Sequence, residues 1–365
     1  MGVGDWSKAR LVHTLTWDAD WVTAVAWTGK YLAAGNNLGE ILVWDTADLT
    51  SRTPVPIRQL VGHTNCITRL VSTSDGPALI SASYDRSICL WDLAVAPSGR
   101  QVKIVLNARA LAEASRRNAS RKPPAPLEVQ VHQQEPALTW REHRDWVQAL
   151  ALSRDETWLI SGDDSGLVIL RERGTGRIIR QWTTRGWVYA LALAPDKKHA
   201  FVSERVPLVF DSGRYDAAKV WNLDTCQPVL DLSKDFKGMY LSTALYSPDG
   251  KWLAVGRGGE VDGPNGKVFI LDPVTGKRTR ELSPGHLYGL TDMLLYPDGE
   301  HLFTCGRDTL IRIWHVPSGK LVRELGQSRG GQFKDWIHAI ALSPDGRWLA
   351  AGDMAGAVQL WQLAE

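Results

Sequence analysis

The sequence predicts an all-β fold: a single closed ring of seven four-stranded antiparallel blades, with the N-terminal strand completing the last blade. Three observations predict this β-propeller. The chain has 17 tryptophans in 365 residues, and most fall at matching places in a repeated unit. The units recur at the spacing of propeller blades. The chain also opens on the type of strand that its last unit lacks, so the two ends can share one sheet and remove a free edge.

Each unit starts with an alternating run such as Val147-Gln148-Ala149-Leu150-Ala151-Leu152 or Ile337-His338-Ala339-Ile340-Ala341-Leu342. A period of two is a strand signal. A tight turn follows, Ser247-Pro248-Asp249-Gly250 or Ser343-Pro344-Asp345-Gly346, where Pro presets φ and Gly supplies the left-handed position. A short second strand comes next (Trp252–Val255, Trp348–Ala351), then a third such as Ile41–Asp45, Ile88–Asp92 or Ile311–His315. Turns such as Val274-Thr275-Gly276-Lys277 lead into a polar-alternating fourth strand, for example Leu321–Leu325. The third-strand anchor falls at Trp44, Trp91, Arg171, Trp221, Leu271, Trp314 and Trp361, which makes seven units. The long interval from Trp91 to Arg171 holds one insertion, since it contains no second anchor and no second set of turns. Residues 1–10 are expected to be a short tail and 11–365 the propeller. Leu11–Leu15 is read as a lone fourth-type strand, and Val358–Trp361 as a third-type strand with nothing after it.

Composition narrows the function. An apolar content of 44% is ordinary for a globular protein, and a formal charge of +2 gives no general pull towards nucleic acid or membrane. Cys66, Cys89, Cys226 and Cys305 have no paired spacing, so they read as small buried hydrophobes in a reducing compartment. The N-terminus has no apolar run or cleavage site, and Trp6 stands where a myristoylation signal wants Ser or Thr. No stretch has the length of a membrane span. A cytoplasmic protein is expected.

These residues resemble the tryptophan–aspartate (WD) repeat propeller family over the whole chain apart from the insertion. The family's tetrad is a Gly-His before the first strand, a Ser or Thr on the second, an Asp in the turn to the third, and the Trp. The resemblance implies a buried hydrogen-bond relay that rigidifies each blade. Two units match in full, Gly62-His63, Ser81, Asp85, Trp91 and Gly285-His286, Thr304, Asp308, Trp314. Blade one has Asp18 and Leu38 at the His and Asp places. Blade three keeps His143 but has Ser165 and Arg171 at the Asp and Trp places, and blades four, five and seven lack the His.

The recurrence of one trio in two units argues that His63, Ser81 and Asp85 are structural and not a hydrolase site. Thr275-Gly276-Lys277 and Ser318-Gly319-Lys320 lack the upstream Gly of a phosphate loop. The nine histidines never reach metal-ligand spacing on one element, so no catalytic residue, metal or cofactor is expected. The acidic loop segments Asp211–Asp216 and Glu260–Asn265 follow no calcium-loop pattern.

The positions that stand out lie just before each first strand: Trp21, Cys66, Trp146, Trp187, Tyr240, Gly289 and Trp336. In propellers of this family that place is on the narrow top face where partners dock. Five aromatics out of seven would form a nearly continuous apolar ring, with Thr23, Thr68, Gln148, Tyr189, Ser242, Thr291 and His338 two residues on. Trp and Tyr are the usual interface anchors; their other use here is to stack on one another and cover the blades. Trp21, Trp146, Trp187, Tyr189, Tyr240, Trp336 and His338 are therefore the candidate protein-binding residues, thickened by long loops at Glu204–Asp216 and Arg257–Gly266. The insertion, about 97–135, is basic and Pro-rich, with Arg116, Arg117, Arg121 and Lys122 at its centre. It reads as a solvated loop or as an arm that orders on binding. Either Pro136–Trp140 or Gln101–Leu106 can be the fourth strand of its blade. A non-catalytic scaffold or adaptor subunit, itself monomeric and holding protein partners in one assembly, is the expected function. A propeller enzyme with a channel site, or nucleic-acid or acidic-partner binding through the insertion, is the alternative.

Overall fold

The computed structural model describes the chain except for residues 1–5, 16, 18, 48, 51, 98, 108–124, 207–214, 260–262, 329–335 and 364–365. The described strands make seven antiparallel blades of the β-propeller class. Blade one runs Val22–Thr28, Tyr31–Asn36, Ile41–Asp45 and Pro56–Leu60; blade two is Ile67–Ser72, Ala78–Ser83, Ile88–Asp92 and Leu138–Trp140. Blade three is Val147–Leu152, Trp158–Asp163, Leu167–Glu172 and Ile178–Thr183; blade four is Trp187–Leu193, His199–Val206, Tyr215–Asn222 and Gln227–Asp231. Blade five is Leu241–Tyr246, Leu253–Arg257, Gly266–Leu271 and Arg278–His286; blade six is Leu290–Leu295, His301–Gly306, Ile311–His315 and Lys320–Leu325. Blade seven is Ile337–Leu342, Trp348–Asp353 and Val358–Gln362, and Arg10–Leu15 supplies its fourth strand, with Leu15 opposite Val358 and Arg10 opposite Gln362. The N-terminal strand thus covers the edge that the last blade would otherwise present.

The turns form for the reasons legible in their residues. In Ser247-Pro248-Asp249-Gly250 the Ser247 hydroxyl donates to Asp249 and accepts the Trp252 amide at 3.0 Å, while Gly250 takes φ +70°. Ser343, Asp345 and Gly346 repeat the arrangement. Ser153 and Asp155 do so as well, with Glu156 in the left-handed position.

The strands gather into two compact units. One is built on Ala82–Ile88 and Trp140–Gln332, the other on Gly4–Ser81, Cys89–Thr139 and Phe333–Glu365. In the first, strands of adjacent blades pack through Ala149, Val188 and Leu191, and through Ala190, Phe201, Leu253 and Phe269. In the second, Trp17, Val22, Trp27, Trp44 and Leu360 form one cluster, and Ile41, Ile67, Leu79 and Trp91 another.

The insertion departs from a solvated loop. Leu138–Trp140 is the fourth strand of blade two, and Gln101–Val105 forms a hairpin with Glu128–Gln134. The hairpin adds to blade one by a parallel pairing of His132–Gln134 with Arg58–Leu60, giving a six-stranded sheet. Arg58 explains the join. It is buried within the outer strand of blade one, and its guanidinium donates to the Val95 carbonyl at 3.0 Å and to Gln134 Oε1 at 2.8 Å. Leu106 is buried in the same cluster as Trp17 and Trp44, and Ile104 and Val129 pack against it. Arg116, Arg117, Arg121 and Lys122 lie outside the described residues.

Candidate functional site

The His, Ser or Thr, and Asp sets are buried parts of the blades. In blade six the His286 ring nitrogens lie 2.8 Å from Asp308 and 2.8 Å from the Thr304 hydroxyl, which in turn accepts the Trp314 indole N–H at 3.0 Å. Burial drives the His286 imidazole below its usual range, against the pull of Asp308, so a neutral ring donates Nδ1–H to the carboxylate. Against the upward push of burial, His286 and Arg312 hold the Asp308 carboxyl low. In blade two the Ser81 hydroxyl joins His63, 2.7 Å away, to the Trp91 indole at 2.8 Å, and Asp85 bonds Ser87. A serine that already bridges an imidazole and an indole in a buried site has no access to a substrate.

Blade three corrects the sequence assignment. Its carboxylate comes from Asp163, two residues before Ser165: His143 lies 2.9 Å from Asp163 and 2.7 Å from the Ser161 hydroxyl. Asp163 Oδ1 also accepts the Ser165 and Leu167 amides, so one carboxylate serves both relay and turn. The same turn recurs in blade one, where Asn36 accepts the Leu38 and Glu40 amides, and in blade seven, where Asp353 accepts the Ala357 amide. The overlooked signal is a repeated Gly-Asp/Asn-x-x-Gly: Gly35–Gly39, Gly162–Gly166 and Gly352–Gly356. Asp18, at the His place of blade one, lies outside the described residues. Arg171 fills the Trp place of blade three, fully buried, with its guanidinium 4.9 Å from the Trp140 ring and 2.9 Å from Glu142. In blades four and seven, which lack the His, the buried Trp221 and Trp361 indole N–H groups have no partner among the described residues.

The positions before the first strands share one backbone geometry. The carbonyls of Trp21, Trp146, Tyr240, Gly289 and Trp336 accept the amides of Asn37, Asp164, Gly258, Arg307 and Met354, at the start of the turn between second and third strands. Their exposure differs. Trp21 and Trp146 are 46% and 45% exposed, Trp187 and Tyr240 are half-buried, and Trp336 is only 8% exposed. Trp336 is thus corrected from an exposed ring to a core residue. Tyr189 and His338 are half-buried. Two residues on, Thr23 and Ser242 bond the carbonyls of Ile67 and Leu290 in the following blades, so they stitch blades together.

Within the larger unit these aromatics gather. Tyr84 stacks on Trp146 with centroids 4.4 Å apart. Tyr189 meets Trp187 at 6.3 Å and Tyr240 edge-on at 4.7 Å, and the Arg205 guanidinium lies 5.3 Å from the Tyr240 ring. The aromatic cluster carries one unusual acid, Asp164. It accepts a hydrogen bond from Gln148 at 3.2 Å, but its Oδ1 is buried without a partner among the described residues. Burial pushes its carboxyl up to about 6, helped by Asp145 and Asp163 and opposed by Gln148. Burial, with Tyr240 and Asp164, likewise raises the Tyr189 phenol. Tyr84, Asp164 and Arg205 went unnoticed in the sequence because they lie in turns between second and third strands or at the end of a long second strand.

Fold and relay together define a seven-bladed propeller of repeated tetrad units. The family model described as WD domain, G-beta repeat matches residues 54–92, 134–170, 276–315 and 319–362, so four stretches of this seven-bladed propeller are WD repeats. It is similar to "Small ribosomal subunit protein RACK1" of Caenorhabditis elegans, 24% identical over 372 residues covering 98% of this chain and 97% of that protein. It is also similar to "tRNA (34-2'-O)-methyltransferase regulator WDR6" of Bos taurus, 27% identical over 375 residues, 92% of this chain but 31% of that one. No described helix is long and apolar enough to cross a membrane.

Proposed function

We propose that the chain is a non-catalytic scaffold or adaptor that holds partner proteins in an assembly through the aromatic surface where the first strands begin. The observation that carries this reading is the cluster of Tyr84, Trp146, Trp187, Tyr189 and Tyr240, with Trp146 45% exposed. Aromatic rings of this kind are the usual anchors of protein interfaces. The His–Ser/Thr–Asp sets, by contrast, are spent on buried indole and imidazole contacts. Two relatives named as a ribosomal subunit protein and as a methyltransferase regulator support an adaptor role. The propeller acts as a monomer in the cytoplasm, and Arg116, Arg117, Arg121 and Lys122 give it a second, basic contact. Nucleic acid is the alternative partner for that arm.

The test is affinity purification from the native source, followed by quantitative mass spectrometry, with Trp146→Ala and Trp187→Ala. An anchor of this type contributes about 2 kcal/mol, so each variant should lose roughly thirtyfold in partner affinity. Its melting temperature should stay close to that of the parent. Partners retained in full by the double variant would overturn the assignment of this surface.

A further inference from the structure

A cleft of about 600 Å³ opens between blades four and five, on the side of the turns that join first to second strands. Its size is that of a small-molecule site. The apolar walls come from Pro195, Val220 and Leu230, and the rim from Val229 and Val274, which are 56% and 83% exposed. Such valines are unusual as rims, because both sit where a polar residue would cost nothing.

The polar groups are few and point to one chemistry. Asp196 Oδ2 lies 2.7 Å from His199 Nδ1, and its Oδ1 accepts the Lys198 and His199 amides. Burial works against it, yet these bonds hold the Asp196 carboxyl below its usual range, so it stays charged and Nδ1 carries the proton. The tautomer leaves Nε2 of His199 as an acceptor, and no partner for it exists among the described residues. Tyr246 lines the same cleft, and its buried hydroxyl also has no partner among the described residues. Asp249 adds a second carboxylate, paired with the exposed Lys251. The cleft thus combines hydrocarbon walls, a carboxylate behind an imidazole acceptor, an unused hydroxyl oxygen and a second acid.

We propose that this cleft binds a small organic ammonium ion with an apolar body. The ammonium group would donate to the His199 and Tyr246 acceptors in the field of Asp196 and Asp249, and the body would cover the apolar walls. Carboxylates of the same size are excluded by the two acids. The inference is independent of the aromatic surface, which lies on the other turns of these blades.

The experiment is calorimetric titration of the full chain at pH 7.5 with 2-phenylethylamine, and with phenylacetate as its anionic counterpart. The amine should bind at least tenfold more tightly than phenylacetate. Val274→Arg, at a position too exposed to affect folding, places a cation at the rim and should weaken the amine about tenfold. Tyr246→Phe should weaken it about fivefold, the worth of one hydrogen bond, without lowering the melting temperature, because the hydroxyl it removes is unpaired. The proposal is overturned by no heat with the amine at 10 mM, by equal affinity for amine and carboxylate, or by an amine affinity unchanged in both variants.

Discussion

Asp164→Asn separates the cost of a buried charge from the packing around it. Asp164 is 9% exposed, and one of its oxygens has no hydrogen-bond partner among the described residues. Burial raises its carboxyl from the ordinary 3.8 to about 6. The sign follows directly: the folded protein holds this proton more tightly than the unfolded chain, so stability falls as pH rises from 3.8 to 6 and stays reduced above that. A shift of roughly 2 units costs about 3 kcal/mol at pH 7.5, and well under about 1 kcal/mol at pH 4, where the folded carboxyl is protonated and the unfolded one only about half ionised. Asparagine keeps an acceptor for Gln148 and carries no charge. Asp164→Asn should therefore raise stability by up to about 3 kcal/mol at pH 7.5 and leave it nearly unchanged at pH 4. Urea unfolding followed by tryptophan fluorescence at pH 4, 5.5 and 7.5 measures this. A variant that is less stable at pH 7.5, or whose difference from the parent does not depend on pH, would refute the reasoning. Such a charge beside exposed rings supports the proposed binding surface, since perturbed acids gather where binding or chemistry occurs.

Two further perturbations address the scaffold itself. Deleting residues 1–15 removes the Arg10–Leu15 strand, the buried Leu15 and its pairing with Val358–Gln362; aggregation on size-exclusion chromatography is expected, and a monomer with parental melting would refute closure by this strand. Asp308→Asn strips His286 and the buried Arg312 of their shared carboxylate and should cost about 3 kcal/mol by thermal or urea unfolding, whereas a cost near zero would mean that the relay does not stiffen blade six.

The blades were legible because their signals are local. Alternating apolar residues, Ser-Pro-Asp-Gly turns and a third-strand tryptophan in five of the seven units each depend on neighbours a few positions away, and the structure uses Ser247, Asp249 and Gly250 as their chemistry requires. The relay of blade three was not legible in the family's frame. There the acid is expected in the middle of the turn, and Ser165 occupies that place. A carboxylate at the end of the second strand, Asp163, reaches the same imidazole at 2.9 Å and also caps the turn that Gly166 closes at φ +84°. Burial of Trp336 against exposure of Trp146 is likewise a matter of neighbours: Trp146 has the Tyr84 ring stacked on one face and stays 45% exposed, and equivalent backbone positions need not give equivalent surfaces.

The insertion shows what a strand signal leaves undetermined. Gln101–Val105 has alternating exposure, as a strand should, but alternation fixes a face and says nothing of which edge the strand will join. The one residue that carried the answer is Arg58. A guanidinium at an inward position of an outer strand has five donors to satisfy and cannot be buried alone. Blade one offers it the face of Tyr31, 5.4 Å away. Its Nη1 donates to both Val95 and Gln134, and Gln134 is set in place by its own bonds to Asp92 and Val61. An inward arginine on an edge strand, next to a long insertion rich in acceptors, is therefore a sequence-level reason to expect that the insertion docks on that edge.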